Sequence, residues 1–256
     1  MRDIALAAAR AGARVLEEGG LRPRQADRKQ LAGDYVTAFD HASEEAILEV
    51  LARESPGVPV LAEESGGRRS ETMWTVDPLD GTTNFVRGLA AVGVSVALLH
   101  ENRPAVGVVL APWLNLEFVA EQRRGATLNG RPLAPLEDVP LERAVVATGF
   151  PFRRKQRLSR YEAVMRPAVR RFEDLRRLGA ASLDLAWTAS GSLDGFFELG
   201  LGTWDLAAGA ALILEVGGRV SDWSGTDGYL ESGDILAGPP AVHDALLELA
   251  AQAPQG

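Results

Sequence analysis

The sequence predicts an α+β fold for this chain of 256 residues. Its first part has two amphipathic helix patterns followed by several short apolar strand patterns, which is typical of helices packed on a largely antiparallel sheet. In its second part, strand and helix patterns alternate, which indicates a second sheet with helices on its faces. A polar segment containing prolines, residues 132–141, separates the two parts. We therefore expect one half over residues 1–140 and a second over residues 141–256.

The elements of the first half follow from apolar spacing. Residues 3–17 and 41–53 carry apolar side chains at helical intervals, and the polar, glycine-terminated stretch between them, residues 21–33, predicts a mobile loop. Strands are predicted at residues 58–62, 74–76, 92–99, 105–111 and 116–121, and an Asn-Gly turn at residues 128–131 closes this meander.

The second half alternates between the two kinds of element. Strands are predicted at residues 144–148, 195–198, 219–222 and 234–237. Helices are predicted at residues 160–171, 181–189, 205–216 and 241–251.

Composition excludes several classes of protein. A net charge of −8 argues against general nucleic-acid binding, and the absence of cysteine excludes disulfides, zinc-thiolate sites and a cysteine nucleophile. The N-terminus is interrupted by charge, unlike a signal peptide, and the longest mainly apolar run, Leu89–Leu99, is too short to cross a bilayer. We expect a cytoplasmic protein without a membrane partner.

The most informative segment is Trp74–Phe85. A largely apolar strand delivers Asp77 and Asp80, and a Gly-Thr-Thr turn follows at once. Gly81 removes a Cβ between the backbone and a ligand, and Thr82 and Thr83 are suited to cap a short helix whose free amides face an anion. The segment predicts carboxylates for a hard cation next to amides for a phosphate, although an ordinary Asp-Pro turn before a capped helix has the same pattern.

Three further acidic sites lie at the ends of apolar elements. Glu63 and Glu64 end a short strand, Asp40 precedes a helix pattern, and Asp205 opens an apolar helix. Each has an ordinary explanation, since Asp40 suits the N-cap of a helix from His41 and Asp205 suits a first helical turn. None except Asp40 has a neighbouring histidine, so together they favour oxygen ligands for Mg²⁺, Mn²⁺ or Ca²⁺.

These segments resemble the signature blocks of the inositol monophosphatase family. The blocks are Asp34–Asp40, Glu63–Ser65, Asp77–Phe85 and Trp204–Gly209, in the family's order and approximate spacing. The resemblance extends from the N-terminal helix to about Gly238. It implies a layered α-β-α-β-α sandwich, a lithium-sensitive magnesium-dependent phosphatase, a homodimer, and an active site between the two halves.

The resemblance also implies roles for the residues of the site. One Mg²⁺ is held by Glu63, Asp77 and the carbonyl of Leu79, and a second by Asp77, Asp80 and Asp205. The resemblance allows a third, more loosely bound ion, and Mn²⁺ as a substitute for Mg²⁺. A metal-activated water attacks the phosphate, oriented by Glu63 and Thr82, while Asp40 positions Thr82. The substrate contacts implied are Asp80, Gly81, Thr82, Ala181, Glu198 and Asp205.

Three positions near the implied site need separate comment. Glu198 ends an aromatic strand and suits a plain solvated strand end. In the block Gly179–Ser182, position 180 carries alanine where the family usually has a hydroxyl residue, which leaves the backbone contact of Ala181 in place. Lys29, in the predicted loop, suits either a metal-bound water network or solvent.

The function implied is Mg²⁺-dependent hydrolysis of myo-inositol 1-phosphate, a small phosphorylated polyol. The alternative is fructose 1,6-bisphosphatase or dual specificity for sugar phosphates, and Thr83-Asn84-Phe85 resembles the inositol branch more than the nucleotide or histidinol branches. A second class of function is non-catalytic association with transcription machinery and RNA. The complete set of acids and the negative charge favour the enzyme.

Overall fold

The computed structural model describes residues 1–28 and 35–254, and it has the α+β class that the sequence predicts. Residues 60–132 form an eight-stranded sheet, and residues 145–238 carry a five-stranded sheet. Residues 29–33 of the predicted loop at residues 21–33, with Lys29 among them, lie outside the described residues, as does Asp34. The division into halves at residues 140 and 141 stays a prediction.

The helices and strands have the following bounds. The helices are α1 (Arg2–Gly19), α2 (Ala38–Glu54), α3 (Thr82–Arg87), α4 (Leu158–Arg171), α5 (Ala181–Ala189), α6 (Thr203–Glu215), α7 (Tyr229–Ser232) and α8 (Pro240–Ala251). The strands are β1 (Asp27–Arg28), β2 (Tyr35–Val36), β3 (Val60–Ala62), β4 (Gly66–Gly67), β5 (Met73–Asp80), β6 (Gly93–His100), β7 (Arg103–Ala111), β8 (Leu116–Glu121), β9 (Ala126–Leu128), β10 (Arg131–Pro132), β11 (Val145–Thr148), β12 (Asp174–Arg176), β13 (Gly195–Glu198), β14 (Arg219–Ser221) and β15 (Ile235–Gly238).

The larger sheet has the order β10-β9-β8-β7-β6-β5-β3-β4 and is antiparallel except for the pair β3 and β5. The turns of two of its hairpins consist of residues with positive φ, in the left-handed region of backbone conformation. Glu101 and Asn102 between β6 and β7 have φ of 53° and 58°, and Asn129 and Gly130 between β9 and β10 have φ of 50° and 75°. Positive φ at both central residues is the signature of a type I′ turn, so the turn at residues 128–131 is confirmed.

The smaller sheet is mixed, with the order β12-β11-β13-β15-β14. Strand β11 is parallel to both β12 and β13, whereas β15 is antiparallel to both β13 and β14. Parallel strands need crossover connections, and the chain between these strands contains α4 and α5.

Five layers are stacked through three apolar cores, which confirms the α-β-α-β-α sandwich. Helices α1 and α2 pack on the outer face of the larger sheet, α5 and α6 lie between the sheets, and α4 and α8 cover the smaller sheet. The middle layer approaches the larger sheet closely, since a Cβ on Gly107 of β7 would lie 2.4 Å from the carbonyl oxygen of Ala208 in α6. Helix α6 is consequently apolar on most of its surface.

Several boundaries differ from those predicted. Helix α2 begins at Ala38, three residues before His41, because Thr37 and not Asp40 is its N-cap. Strand β5 continues through both aspartates to Asp80, with an irregular register opposite β6 between Asp77 and Asp80. Strands β1, β2, β4 and β12 and helix α7 were not predicted, because runs of two to four residues are too short for a reliable periodic signal. No helix in the described ranges is long and apolar enough to cross a membrane.

Candidate active site

Asp77 and Asp80 come from one irregular strand end. The register of β5 against β6 shifts between them, which brings two carboxylates three residues apart to the same edge of the sheet. The amide of Leu79 donates to Asp77 Oδ1 at 2.9 Å, and both the amide and the hydroxyl of Ser182 donate to Asp80 Oδ2, at 2.7 and 2.5 Å. One oxygen of each carboxylate is thus fixed, which orients the group.

Asp205 reaches the same place from the first turn of α6. Gly202 is the N-cap, and its amide donates to Asp205 Oδ2 at 2.6 Å, so the predicted position of Asp205 in the first helical turn is confirmed. The positive end of the helix dipole favours a negative charge here. Asp77, Asp80 and Asp205 each offer an oxygen within 4.8 Å of the other two, and we call these three the carboxylate cluster.

Crowding in the carboxylate cluster alters its acidity. Burial raises the pKa of Asp80 to about 6, against the opposing hydrogen bonds from Ser182. Burial, and then the nearby charges of Asp80 and Glu63, raise the pKa of Asp205 to about 7. Burial and the charges of Glu63, Asp80 and Asp205 hold the pKa of Asp77 well above its usual value. Without a cation, neighbouring carboxyls must share protons, because several close negative charges cannot coexist in a buried place.

Glu63 lies on the turn after β3 and lines the same cavity as the cluster. Its amide donates to the carbonyl of Val76 at 3.0 Å, which ties the turn to β5. The buried Glu44 of α2 accepts from the amides of Glu64 and Ser65 at 2.9 and 2.8 Å. Sequence patterns did not indicate this role of Glu44, because it joins residues that are twenty positions apart in the chain.

Asp40 and Thr82 are brought together behind the cluster. The Thr82 hydroxyl lies 3.4 Å from Asp40 Oδ1 and 3.2 Å from the carbonyl oxygen of Leu79. Asp40 Oδ2 accepts from the amide and hydroxyl of Thr37 at 2.7 and 2.6 Å. The interpretation of Asp40 as an N-cap is wrong: it is the third residue of α2 and closes a capping box with Thr37.

The turn between β5 and α3 is built on Gly81. Gly81 has φ of 87°, in the left-handed region, and it is the N-cap of α3 without a side-chain cap bond. The expectation that Thr82 and Thr83 cap this helix is therefore wrong; they are its first two residues. A Cβ on Gly81 would lie 2.9 Å from the carbonyl oxygen of Ala91, so backbone packing as well as φ requires glycine.

Glu198 and Ala181 line the cavity beside the cluster. The carboxylate of Glu198 lies directly against Gly149, where a Cβ would be 2.0 Å from Glu198 Cδ. Burial, and then the charge of Asp205, raise the pKa of Glu198 to about 8, with Arg177 acting in the opposite direction. The amide of Ala181, at the start of α5, hydrogen-bonds to Asp80. It therefore already has a partner in the structure.

The cavity also contains residues that sequence reasoning missed. Three arginines, Arg153, Arg154 and Arg177, line it, and we call these three the arginine rim; Asp184 of α5 lines it as well. Asp184 Oδ1 is buried without a hydrogen-bond partner among the described residues, and burial raises the pKa of this carboxyl well above its usual value. Asp184 could have been identified from the sequence, because it is an acidic residue within the apolar run of α5. The arginines follow short strands and carry no local motif.

The cavity that joins these residues has a volume of about 450 Å³. It is lined by the end of β5, the start of α3, the loop after β11, the start of α5 and the segment from β13 to α6. Two cavities elsewhere in the described residues are larger, at about 570 and 500 Å³, but neither contains a member of the carboxylate cluster.

The donor atoms at this site are of the kind that magnesium prefers. The cluster offers only oxygen, Glu63 stands next to it, and no histidine lines the cavity among the described residues. Hard cations such as Mg²⁺ prefer such oxygen sets, whereas zinc and iron sites usually include nitrogen or sulfur. Divalent cations would also replace the protons that the crowded carboxyls otherwise need.

Comparison with known proteins agrees with this geometry. The sequence model of the inositol monophosphatase family matches residues 1–255. The chain is 40% identical over 251 residues to the Nus factor SuhB of Pasteurella multocida, covering 96% of this chain and 94% of that protein. The solved inositol monophosphatase of Anabaena sp. PCC 7120 matches with a TM-score of 0.87 and 36% identity, covering 99% of this chain and 96% of that one. SaIMPase-II, solved with inositol monophosphate bound, matches with a TM-score of 0.81 and 26% identity, covering 98% and 97%.

These matches cover almost the whole chain, and the solved structures share its layered fold. The chain therefore belongs to the inositol monophosphatase family.

Proposed function

We propose that this protein is a Mg²⁺-dependent phosphomonoesterase that hydrolyses myo-inositol 1-phosphate to inositol and phosphate. The observation that carries the proposal is the carboxylate cluster, whose three oxygens lie within 4.8 Å of one another in a cavity of about 450 Å³. Family membership supports phosphatase chemistry, and the inositol monophosphate bound by SaIMPase-II supports the choice of substrate.

The carboxylate cluster, Glu63 and the carbonyl of Leu79 would hold two or three Mg²⁺ ions. When bound, these ions stabilise the charge that develops on the phosphate and acidify the attacking water. Asp77 is central to this set, because the charges of Glu63, Asp80 and Asp205 all act on its carboxyl group. The fixed oxygens of Asp77, Asp80 and Asp205 keep the set arranged before any substrate enters.

Glu63 and Thr82 would orient the attacking water, and Asp40 would position Thr82. The hydroxyl of Thr82 has two acceptors, Asp40 Oδ1 and the carbonyl of Leu79, so its hydrogen can point to either while its lone pairs face the cavity. The amides of Gly81 and Thr82 would bind the phosphate at the start of α3.

Glu198, Asp80, Asp205 and the backbone of Ala181 would bind the hydroxyl groups of the alcohol. Glu198 lies against Gly149 and lines the same cavity as the cluster. A carboxyl there suits a polyol, which presents several hydroxyl donors. The amide of Ala181 would act mainly by fixing Asp80.

The relative named a Nus factor raises a non-catalytic alternative. That name belongs to the relative, and an association of this kind comes to this chain only as an alternative. In this chain, Glu63, Asp77, Asp80 and Asp205 are all present at one cavity, which supports hydrolysis. A homodimer, implied by the family, and a cytoplasmic location, expected from the sequence, remain expectations.

The test is phosphate release from a panel of esters in the presence of Mg²⁺. The panel contains inositol 1-phosphate, fructose 1,6-bisphosphate, 3′-phosphoadenosine 5′-phosphate and histidinol phosphate. The proposal predicts the highest kcat/KM for inositol 1-phosphate. A higher kcat/KM for fructose 1,6-bisphosphate would favour the sugar phosphatase alternative, and no release from any ester would contradict the enzymatic function.

A further inference from the structure

Helix α2 carries three buried polar side chains on one face. Asp40, Ser43 and Glu44 are three and four residues apart, the spacing of one helix face, and each is at most 4% exposed. The apolar packing of α2 is supplied by other positions, among them Ile47 and Leu51. Buried polar groups are tolerated where they form hydrogen bonds, so the partners of these three side chains indicate what this face of α2 does.

Ser43 fixes a peptide unit inside the carboxylate cluster. Its Oγ atom donates to the carbonyl oxygen of Pro78 at 2.8 Å. The amide of the same peptide unit is that of Leu79, and it donates to Asp77 Oδ1 at 2.9 Å. The unit is therefore held at both ends, by α2 and by the carboxylate of Asp77. Because a peptide unit is planar and moves as one body, the bond from Ser43 also limits how far Asp77 can turn.

Glu44 fixes the turn that carries Glu63. Its Oε2 atom accepts from the amide of Glu64 at 2.9 Å, and its Oε1 atom accepts from the amide of Ser65 at 2.8 Å. Both oxygens of one carboxylate thus bind consecutive amides directly after Glu63. Hydrogen bonds to a charged acceptor are stronger than neutral ones, so this pair holds the turn firmly to α2.

The other acids of the site are fixed from a different layer of the fold. Asp80 is held by the amide and hydroxyl of Ser182 in α5, and Asp205 by the amide of Gly202, the N-cap of α6. Helices α5 and α6 lie between the two sheets, whereas α2 packs on the outer face of the larger sheet. The donor atoms of the site therefore fall into two groups, one fixed by α2 and one fixed by the middle layer.

We propose that Ser43 and Glu44 are positioning residues for one of the divalent ions. That ion is the one that Glu63 and the carbonyl of Leu79 would hold. Neither positioning residue lines the cavity, so both would act through the backbone segments that they fix. The ion on the side of the middle layer would depend on them much less. This inference rests on the proposed metal-dependent function and deepens it.

The test is a calorimetric titration of the metal-free protein with Mg²⁺, in the absence of substrate. Glu44→Gln keeps the length of the side chain but replaces one acceptor oxygen with an NH₂ group, which does not accept from an amide. One bound ion should become about ten- to hundredfold weaker in affinity, the usual scale for a partner that orients a metal ligand, and the other should change little. Glu45→Gln, on the exposed face of α2, is the matched control and should bind both ions as the wild type does.

Two further variants identify the ion that is affected. Ser43→Ala removes the bond to Pro78 and should weaken the same ion as Glu44→Gln does. In Glu63→Gln protein a ligand of that ion is already altered, so the added change Glu44→Gln should cause little further loss of Mg²⁺ affinity. Losses that simply multiply in the double variant would overturn the inference, because Glu44 would then act independently of Glu63.

Two other results would also overturn it. One is unchanged Mg²⁺ affinity in both Glu44→Gln and Ser43→Ala. The other is equal weakening of every bound ion, which a general loosening of the fold would cause. Circular dichroism and thermal unfolding verify that each variant is folded.

Kinetic measurements separate this inference from the proposed function. With inositol 1-phosphate as substrate, Glu44→Gln should need about ten- to hundredfold more Mg²⁺ for half-maximal activity, and it should regain most of its kcat at saturating Mg²⁺. If no ester is hydrolysed but the difference in Mg²⁺ affinity is present, only the phosphatase function fails. If the wild type hydrolyses the ester and Glu44→Gln needs no additional Mg²⁺, only the positioning role fails.

Discussion

The carboxylate cluster and the arginine rim lie in one cavity but are built in different ways. In the cluster, one oxygen of each carboxylate is fixed by a hydrogen bond of 2.9 Å or less from a backbone amide. The rim consists of long side chains on two loops, placed by packing against glycines and Phe152. We therefore expect substitutions in the cluster to affect the hydrolysis of every ester, and substitutions on the Glu198 side of the cavity to affect mainly the choice of ester.

The largest effect that this comparison predicts is that of Asp77→Asn. This change keeps the shape of the side chain but removes the charge at the centre of the cluster. We expect kcat/KM for inositol 1-phosphate to fall on the order of a thousandfold, because several kcal/mol of cation-dependent stabilisation are lost. Phosphate release and Mg²⁺ titration measure it. Asp3→Asn, on the exposed first turn of α1, is the matched control, and equal activity of the two variants would remove Asp77 from the mechanism.

The next largest effect concerns the pair Asp40 and Thr82. Thr82→Ala should lower kcat about a hundredfold with a smaller change in KM, because an oriented hydroxyl acts in the transition state. Thr82→Ser keeps the hydroxyl and should retain most of the activity. Asp40→Asn should resemble Thr82→Ala, and the double variant should lose much less than the product of the two single losses. Independent, multiplying losses would leave Asp40 with only its role in the capping box.

A smaller effect is expected at Glu198, on the alcohol side. Glu198→Ala removes an acceptor for substrate hydroxyls, so KM for inositol 1-phosphate should rise and kcat/KM should fall about ten- to hundredfold. Hydrolysis of p-nitrophenyl phosphate, which has no such hydroxyls, should change little. Equal losses with both esters would contradict a role in specificity. They would show that Glu198 is needed to keep the cluster in place.

The smallest effect is on stability. Asp80 and Asp205 have pKa values of about 6 and about 7 in the fold, above the usual value of 3.8 in the unfolded chain. Between about pH 4 and pH 8 the metal-free folded protein thus binds more protons than the unfolded chain, and its stability falls as the pH rises. Its Tm should be at least about 3 °C lower at pH 8 than at pH 5. Added Mg²⁺ should raise Tm more at pH 8, where it does not compete with protons.

The variant Asp205→Asn is the control for this measurement. It removes one carboxyl with a raised pKa, so the decline in Tm between pH 5 and pH 8 should become shallower. A Tm of the metal-free wild type that rises over this interval would contradict the assigned direction of the pKa shifts.

The sequence predicted the parts of this molecule whose signal is local. The segment Asp77–Phe85 encodes a strand end, a glycine turn and a helix start within nine residues, and the structure has all three. The layered fold was implied by resemblance and is confirmed. The exact start of α2 was missed because Thr37 and Asp40 are both good capping residues, and only tertiary context selects between them.

The unpredicted parts of the site depend on contacts between distant residues. Ser182 holds Asp80 across 102 positions of the chain, and Glu44 orders the turn after Glu63. Arg177 reaches the cavity only because α5 begins beside the end of β5. Spacing along one chain carries no signal for such contacts, so the carboxylate cluster could be anticipated and the arginine rim could not.

Phosphatase activity in this protein should depend on divalent cations held by the carboxylate cluster. The most direct test removes all divalent ions by chelation, measures hydrolysis of inositol 1-phosphate, and then restores Mg²⁺ stepwise while binding is followed by calorimetry. We expect no activity in the stripped protein, and recovery in parallel with the binding of at least two ions per chain. Undiminished hydrolysis after chelation, or Mg²⁺ binding that does not restore hydrolysis, would contradict it.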